Sequence, residues 1–190
     1  MCVSLGRVVE MIETKFDWSS FPCYTIHIKD ISAPVEISHI FKKYQIDKYV
    51  YRIKFKGIVL KFGMSAAESE YRDWGERLYR QVAHCSTWGE QRIDGSSGSD
   101  WLTIERDVKE AYGLDLDHTG LVCTVWDVGS YNFESYNPRW EVEKMEAELI
   151  DCYVSISGEK PIGNINDHAN ARNRAYVKKE TFEPIFTIEH

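Results

Sequence analysis

The chain has 190 residues, of which 43% are apolar and 28% charged, with a formal net charge of −7. That length supports one domain with a proper hydrophobic core and is short for two, and no window approaches the 18 consecutive apolar residues of a transmembrane helix. The first residues lack the basic start and apolar run of a secretory signal, and the net charge by itself disfavours a nucleic-acid partner.

The first half of the chain predicts a β-hairpin preceded by less regular elements. A strand is expected around 24–28 and a short helix around 35–44. Residues 48–55 are rich in Tyr, Val and Ile and predict a strand, and 58–62 predict a second one. The Lys56-Gly57 pair between them is a tight-turn sequence, so the two strands are expected to pair antiparallel.

The second half predicts mainly helices. Residues 66–85 predict a helix, because apolar residues recur there at steps of three and four. The Gly/Ser-rich segment 94–100 predicts a loop, and a helix over 100–112 is expected to end at Gly113. A strand over 121–128 and a helix over 139–154 follow.

These elements mix without a regular βαβ alternation, which predicts an α+β fold. The expected architecture is a small antiparallel sheet with a β-hairpin flanked by helices. We interpret 1–190 as one domain, with an N-terminal extension over about 1–47 and an insertion over about 86–138.

Cysteine and histidine spacings exclude several kinds of site. The five cysteines are odd in number, far apart and never in C-x-x-C spacing, which disfavours a disulfide framework and a cysteine zinc site and favours a reducing cytoplasm. The histidines form no H-E-x-x-H pattern, so a zinc hydrolase is unsupported. No P-loop and no G-x-G-x-x-G motif is present.

The charges are segregated along the chain. From Lys42 to Arg80 ten basic residues face five acidic ones, a net of +5, whereas from Glu90 to Glu148 five basic residues face fourteen acidic ones, a net of −9. One basic and one acidic face of the protein, both exposed to solvent, would explain this pattern. A local basic patch can also bind a polyanion in spite of the negative total, because salt screens exposed charges beyond about 10 Å.

One carboxylate lies at an unexpected place in the last predicted helix. Glu146 shares helical spacing with Val142, Leu149, Ile150 and Tyr153, which places it inside an apolar stripe. A carboxylate that faces a core must be paired, protonated or bound to a cation. The alternatives are a salt bridge to an arginine and a metal site.

Four motifs occur in a fixed order along the chain. They are Tyr49-Val50-Tyr51, then Lys61-Phe62-Gly63-Met64-Ser65, then Arg72, and finally Glu146 followed by Leu149-Ile150 and by Asn164 or Asn166. This order, with ten residues from Tyr51 to Lys61, resembles the GIY-YIG nuclease superfamily over about 48–85 and 140–166. Tyr49 replaces the opening glycine of that family and Lys61 its second tyrosine, a lysine that a restriction-endonuclease branch also carries.

The resemblance implies a GIY-YIG-like fold and metal-dependent hydrolysis of phosphodiester bonds. Tyr51 is the implied general base, and an ammonium at Lys61 would favour its phenolate and orient the attacking water. Arg72 would bind phosphate oxygens, and Glu146 would hold Mg²⁺ or Mn²⁺, for which one carboxylate suffices because magnesium keeps several waters. The expected substrate contacts are Ser65, His84, Asn164, Asn166, Arg172 and Arg174.

Taken singly, these residues have plainer interpretations. Tyr51 fits an ordinary strand aromatic, Lys61 an exposed strand lysine, and Arg72 a helix-surface partner of Glu68 or Glu76. Together they favour a Type II restriction endonuclease that cuts double-stranded DNA as a homodimer, without a membrane. The alternatives are a structure-specific phage or repair nuclease and a catalytically inactive acidic binding protein.

Overall fold

The computed structural model describes residues 14–28, 33–66, 75–84, 96–134 and 137–164. In chain order the regular elements are β1 (Cys23–His27), α1 (Ala33–Tyr44), β2 (Lys48–Phe55), β3 (Ile58–Ala66), α2 (Glu76–His84), α3 (Ser96–Tyr112), β4 (Leu121–Asp127) and α4 (Pro138–Ser157). Short 3₁₀ helices lie at Trp18–Ser20, His118–Gly120 and Ile162–Asn164. Within these ranges no helix has the length and apolar character needed to cross a bilayer.

The four strands form one antiparallel sheet in the order β1-β4-β2-β3. The predicted α+β class and the predicted hairpin are therefore confirmed. Lys56 and Gly57, at the turn between β2 and β3, have φ angles of 47° and 85°. Two positive φ angles match the right-handed twist of the flanking strands, which explains why this pair closes the hairpin.

Two strands of the sheet come from outside the hairpin. β1 lies in the segment predicted as an N-terminal extension, and β4 lies in the segment predicted as an insertion. β4 is placed between β1 and β2 and pairs with both along their lengths. Both segments therefore contribute to the core on which the hairpin rests.

Helices cover both faces of the sheet. One face carries Tyr49, Tyr51 and Ile53 and packs against the first three helices and the 3₁₀ helix at Ile162–Asn164. The other face is covered by α4. The apolar residues of α4 that pack there are Val142, Met145 and Leu149, and they meet Val50, Val59, Phe62 and Met64 of the hairpin.

Two predicted boundaries are wrong. The sequence predicts a helix from Ala66, but Ala66 ends β3 by pairing with Lys48; 67–74 lie outside the described residues, and α2 covers Glu76–His84. The predicted loop over 94–100 is helical from Ser96 onward, as the start of α3. The predicted end of that helix is confirmed: Gly113 has a φ of 65° and donates its N–H to the Lys109 carbonyl at 2.9 Å.

Candidate active site

The tyrosine of the first motif lies across the glycine of the second. Tyr51 on β2 is paired with Gly63 on β3, and its side chain is only 1% exposed. A Cβ atom at Gly63 would overlap the Cζ and Oη atoms of the Tyr51 ring. The absence of a side chain at Gly63 thus lets the phenol lie over the outer strand of the sheet.

Arg77 on α2 is the cation beside this phenol. Burial raises the pKa of Tyr51 well above its ordinary value of 10, the charges of Glu146 and Cys123 raise it further, and the charge and hydrogen bond of Arg77 oppose the rise. Burial thus favours the neutral phenol of Tyr51 over its phenolate. Arg77 therefore favours the phenolate of Tyr51, a role that the sequence analysis gives to Lys61.

Lys61 projects from β3 on the same side of the sheet as Tyr51. It is paired with Ile53, two residues from Tyr51 along β2, so the side chains share a face. Its Nζ donates a hydrogen bond to Oε1 of Gln81 on α2 at 3.1 Å. The lysine is half-buried, and its positive charge acts on Glu146.

Glu146 lies on α4 with the other residues of the predicted stripe. Val142 and Leu149 are buried, and Glu146 is half-buried, as are Ile150 and Tyr153. Burial raises the pKa of Glu146, and the charges of Arg77 and Lys61 oppose that rise. Among the described residues no hydrogen bond satisfies its carboxylate, so its oxygens are available to a cation.

The donor set at this position suits one class of metal ion. The described part of the chain contains no group of three or more His, Cys, Asp or Glu side chains close enough to share an ion. Glu146 alone provides one hard oxygen ligand. That fits Mg²⁺ or Mn²⁺, which retain water and take phosphate oxygens as further ligands, and it does not fit a structural zinc site.

Asn164 holds the strand that carries Lys61 and Gly63. Its Oδ1 accepts the N–H of Phe62 at 2.7 Å, and its Nδ2 donates to the Phe62 carbonyl at 2.9 Å. Gly163 brings this segment so close that a Cβ there would lie 3.0 Å from the Leu60 carbonyl oxygen. We therefore assign Asn164 to the strand backbone and not to the predicted substrate contact.

The remaining predicted residues differ in what the structure shows of them. Ser65 is buried on β3 opposite Tyr49. His84 is the last residue of α2, and its side chain lies outside the described part. Arg72, Asn166, Arg172 and Arg174 also lie outside the described residues.

Three of the four predicted catalytic residues are thus brought together. Tyr51, Lys61 and Glu146 interact with one another or with Arg77, which the sequence analysis did not select. Arg77 adjoins Leu78, whose side chain packs in the core under the sheet, but the sequence alone does not show which strand residue Arg77 meets. A cation next to the buried stripe of α2 can reach a polar group on the sheet.

Comparisons with protein-family models, with curated proteins and with solved structures found no match to this chain.

Proposed function

We propose that this chain is a metal-dependent endonuclease of the GIY-YIG type that hydrolyses phosphodiester bonds in double-stranded DNA. The observation that carries the proposal is the convergence of a phenol, an ammonium, a guanidinium and a carboxylate at the outer strand of the sheet. These groups come from β2, β3, α2 and α4. Their combination matches what phosphodiester hydrolysis needs: a base, charge stabilisation and a cation ligand.

Tyr51 is the proposed general base, which takes a proton from the attacking water at Oη. That role requires the phenolate, which burial disfavours and Arg77 favours. Below the pKa of the phenol its ionised fraction grows tenfold with each pH unit. A base of this kind therefore works best on the alkaline side of neutrality.

Arg77 and Lys61 supply the positive charge that a phosphate group meets. The guanidinium donates planar hydrogen bonds, and the ammonium acts as a compact point charge. Arg72, the phosphate ligand predicted from the sequence, adds to them in this proposal. Together these side chains orient the scissile phosphate against the hydroxyl of Tyr51.

Glu146 would hold Mg²⁺ or Mn²⁺ through its carboxylate oxygens. When bound there, the ion supplies positive charge for the cleaved phosphate and the leaving oxygen. Glu146 must be ionised to bind it, and burial raises the pKa of Glu146. Activity is therefore lost towards acid pH as this carboxyl becomes protonated.

The proposal extends to a sequence-specific Type II restriction endonuclease that acts as a homodimer in the cytoplasm. A symmetric dimer places one site on each strand of a duplex. The described cysteines, Cys23, Cys123 and Cys152, are free thiols, which is the state expected in a reducing compartment. Asn166, Arg172 and Arg174 remain proposed substrate contacts.

The test is cleavage of plasmid and of short linear duplexes with Mg²⁺ by the unmodified protein, Tyr51→Phe and Glu146→Gln. Tyr24→Phe on β1 and Glu143→Gln, one turn before Glu146 and paired with Arg139, are matched controls. We expect cleavage by the unmodified protein and both controls, and a loss of at least about 100-fold in the two site variants.

Other outcomes separate the alternatives. Cleavage of branched DNA or RNA without cleavage of duplexes would replace the restriction-enzyme proposal by a structure-specific nuclease. Equal inactivity of all proteins on every nucleic acid, together with binding to a basic partner, would support an acidic binding protein. Equal cleavage by the unmodified protein and Tyr51→Phe would contradict the assigned base.

A further inference from the structure

α2 presents two polar side chains to the candidate site, one helical turn apart. Arg77 and Gln81 are four residues apart and therefore lie on one side of the helix. Arg77 contacts the hydroxyl of Tyr51, and Gln81 accepts a hydrogen bond from Lys61. A single helix thus holds both the proposed base and the neighbouring ammonium.

Burial of the neighbouring apolar residues orients the side of α2 that carries Arg77 and Gln81. Leu78 and Val82 are 0% and 2% exposed and join the core beneath the sheet. Their neighbours Arg77 and Gln81 consequently border the core, where they meet strand residues. Gln81 is half-buried, and its contact spans 20 residues of sequence to Lys61.

An amide and a carboxylate at position 81 would affect the Lys61 ammonium differently. An ammonium has three donors, and the hydrogen bond to Gln81 Oε1 occupies one of them. A neutral acceptor fixes the direction of the ammonium without cancelling its charge. A carboxylate at the same place would neutralise the ammonium and compete with phosphate for it.

We propose that Gln81 is a positioning residue, which holds the Lys61 ammonium in place at the outer strand and leaves its charge to act on Glu146 and on phosphate. The kinetic part of this inference rests on the proposed nuclease function. The structural part, the restraint on the ammonium, holds for the protein whatever it acts on.

Two variants of Gln81 separate the orientation of the Lys61 ammonium from the effect of its charge. Gln81→Leu keeps the approximate size of the side chain but removes the acceptor, and we expect kcat to fall on the order of tenfold with less than about a twofold change in KM. Gln81→Glu keeps an acceptor but adds a negative charge. We expect it to raise KM for DNA on the order of tenfold and to reduce the salt dependence of cleavage, because the neutralised ammonium no longer counts as a phosphate contact.

A measurement independent of activity follows the ammonium directly. The Lys61 ¹⁵Nζ resonance, assigned by its loss in Lys61→Arg, is recorded at low temperature, where ammonium protons exchange slowly. We expect a shift distinct from those of exposed lysines in the unmodified protein and in Gln81→Glu, and an exposed-lysine shift in Gln81→Leu. Thermal melting of each variant, with Glu110→Leu on the exposed side of α3 as control, reports any loss of fold.

The outcomes are separable. Unchanged kcat and an unchanged Lys61 resonance in a folded Gln81→Leu would overturn the inference. If the unmodified protein cleaves no nucleic acid, the proposed function fails, and the chemical shift of Lys61 Nζ alone tests the inference. A change to an exposed-lysine shift in Gln81→Leu supports the restraint of the ammonium by Gln81, and an unchanged shift overturns it. If Gln81→Leu does not fold, the same comparison is made with Gln81→Glu, for which unchanged KM and an exposed-lysine resonance would contradict the inference.

Discussion

The hydroxyl of Tyr51 reaches the outer strand only because Gly63 carries no side chain. The ring occupies the space where a Cβ would stand, and backbone pairing between the two residues fixes this arrangement. At this position the glycine serves the close approach of a neighbouring ring and not an unusual φ angle. Gly63 and Tyr51 therefore form one packing unit.

Gly63→Ala is expected to displace the phenol and lower kcat on the order of 100-fold, since a misplacement near 1 Å has that cost. The control is a double-mutant cycle with Tyr51→Phe, measured as cleavage rates. If Gly63 acts through the hydroxyl, Gly63→Ala has almost no further effect in Tyr51→Phe. Additive losses in the cycle would show that Gly63 has a separate role.

Glu146 is expected to reduce stability while it serves function. Because burial raises its pKa, the folded chain binds the proton more tightly than the unfolded chain, so stability falls as pH rises through this region. Glu146→Gln should therefore raise Tm at pH 7.5 by about 2 °C. The gain should vanish below about pH 4, under the ordinary pKa of 4.5, where both states are protonated.

Differential scanning calorimetry across pH checks this expectation, with Glu143→Gln as the matched control. The Glu143 carboxylate forms an exposed ion pair with Arg139, so its replacement should change Tm little. A lower Tm for Glu146→Gln at pH 7.5 would show that Arg77 and Lys61 outweigh the effect of burial.

Three site residues could be predicted from the sequence, and a fourth could not. The resemblance to the GIY-YIG motifs selects Tyr51 and Lys61, and the pairing of β2 with β3 places both on one face of the sheet. Glu146 stood out as a charge among apolar residues. Arg77 required the orientation of α2 relative to the sheet, a tertiary property that periodicity alone does not contain.

At the scale of elements, the 3₁₀ helix Ile162–Asn164 is hydrogen-bonded to the backbone of β3. The amide of Asn164 pairs with both polar backbone atoms of Phe62, in the manner of a neighbouring strand. Phe62 stands between Lys61 and Gly63. These two hydrogen bonds thus stabilise the part of β3 that carries the proposed site.

Asn164→Ala should lower the free energy of unfolding by about 1–3 kcal/mol, because two hydrogen bonds are lost and two strand atoms lose partners. Urea denaturation measures this change. Asn164→Asp retains the acceptor for the Phe62 N–H but not the donor, so we expect an intermediate loss. Equal stability of the unmodified protein and both variants would contradict a stabilising role of the Asn164 side chain.

Strand and helix boundaries show where local signals fail. Residues 63–66 were predicted to lie beyond the second strand, yet pairing with Lys48 and Tyr49 extends β3 to Ala66. The Gly/Ser-rich start of α3 was predicted as a loop on composition. In β3, strand pairing outweighs the weak local preference.

At the scale of the whole molecule, the two charged segments of the chain meet in one sheet. β2 and β3 belong to the segment of net charge +5, and β4 to the segment of net charge −9. The candidate site is built mainly on the positive segment, with Glu146 from the negative one. The position of the site therefore favours a polyanion despite the total of −7.

DNA binding is accordingly expected to depend steeply on salt. With Glu146→Gln, which we expect to bind DNA without cutting it, the logarithm of the affinity should fall against that of the salt concentration with a slope of about −4, as for four or five phosphate contacts. Fluorescence anisotropy with a labelled duplex measures it. Arg77→Met should reduce the slope by about one, whereas salt-independent binding would argue against a phosphate contact at this site.

Among the described strands, β3 is the last of the sheet on its side, and an edge strand is the place where a strand from another molecule can pair. Asn164 occupies the N–H and carbonyl of Phe62 near the middle of that edge. An incoming strand would have to displace this amide before it could pair along the full length. The asparagine that steadies the site thus also protects the protein against edge-to-edge aggregation.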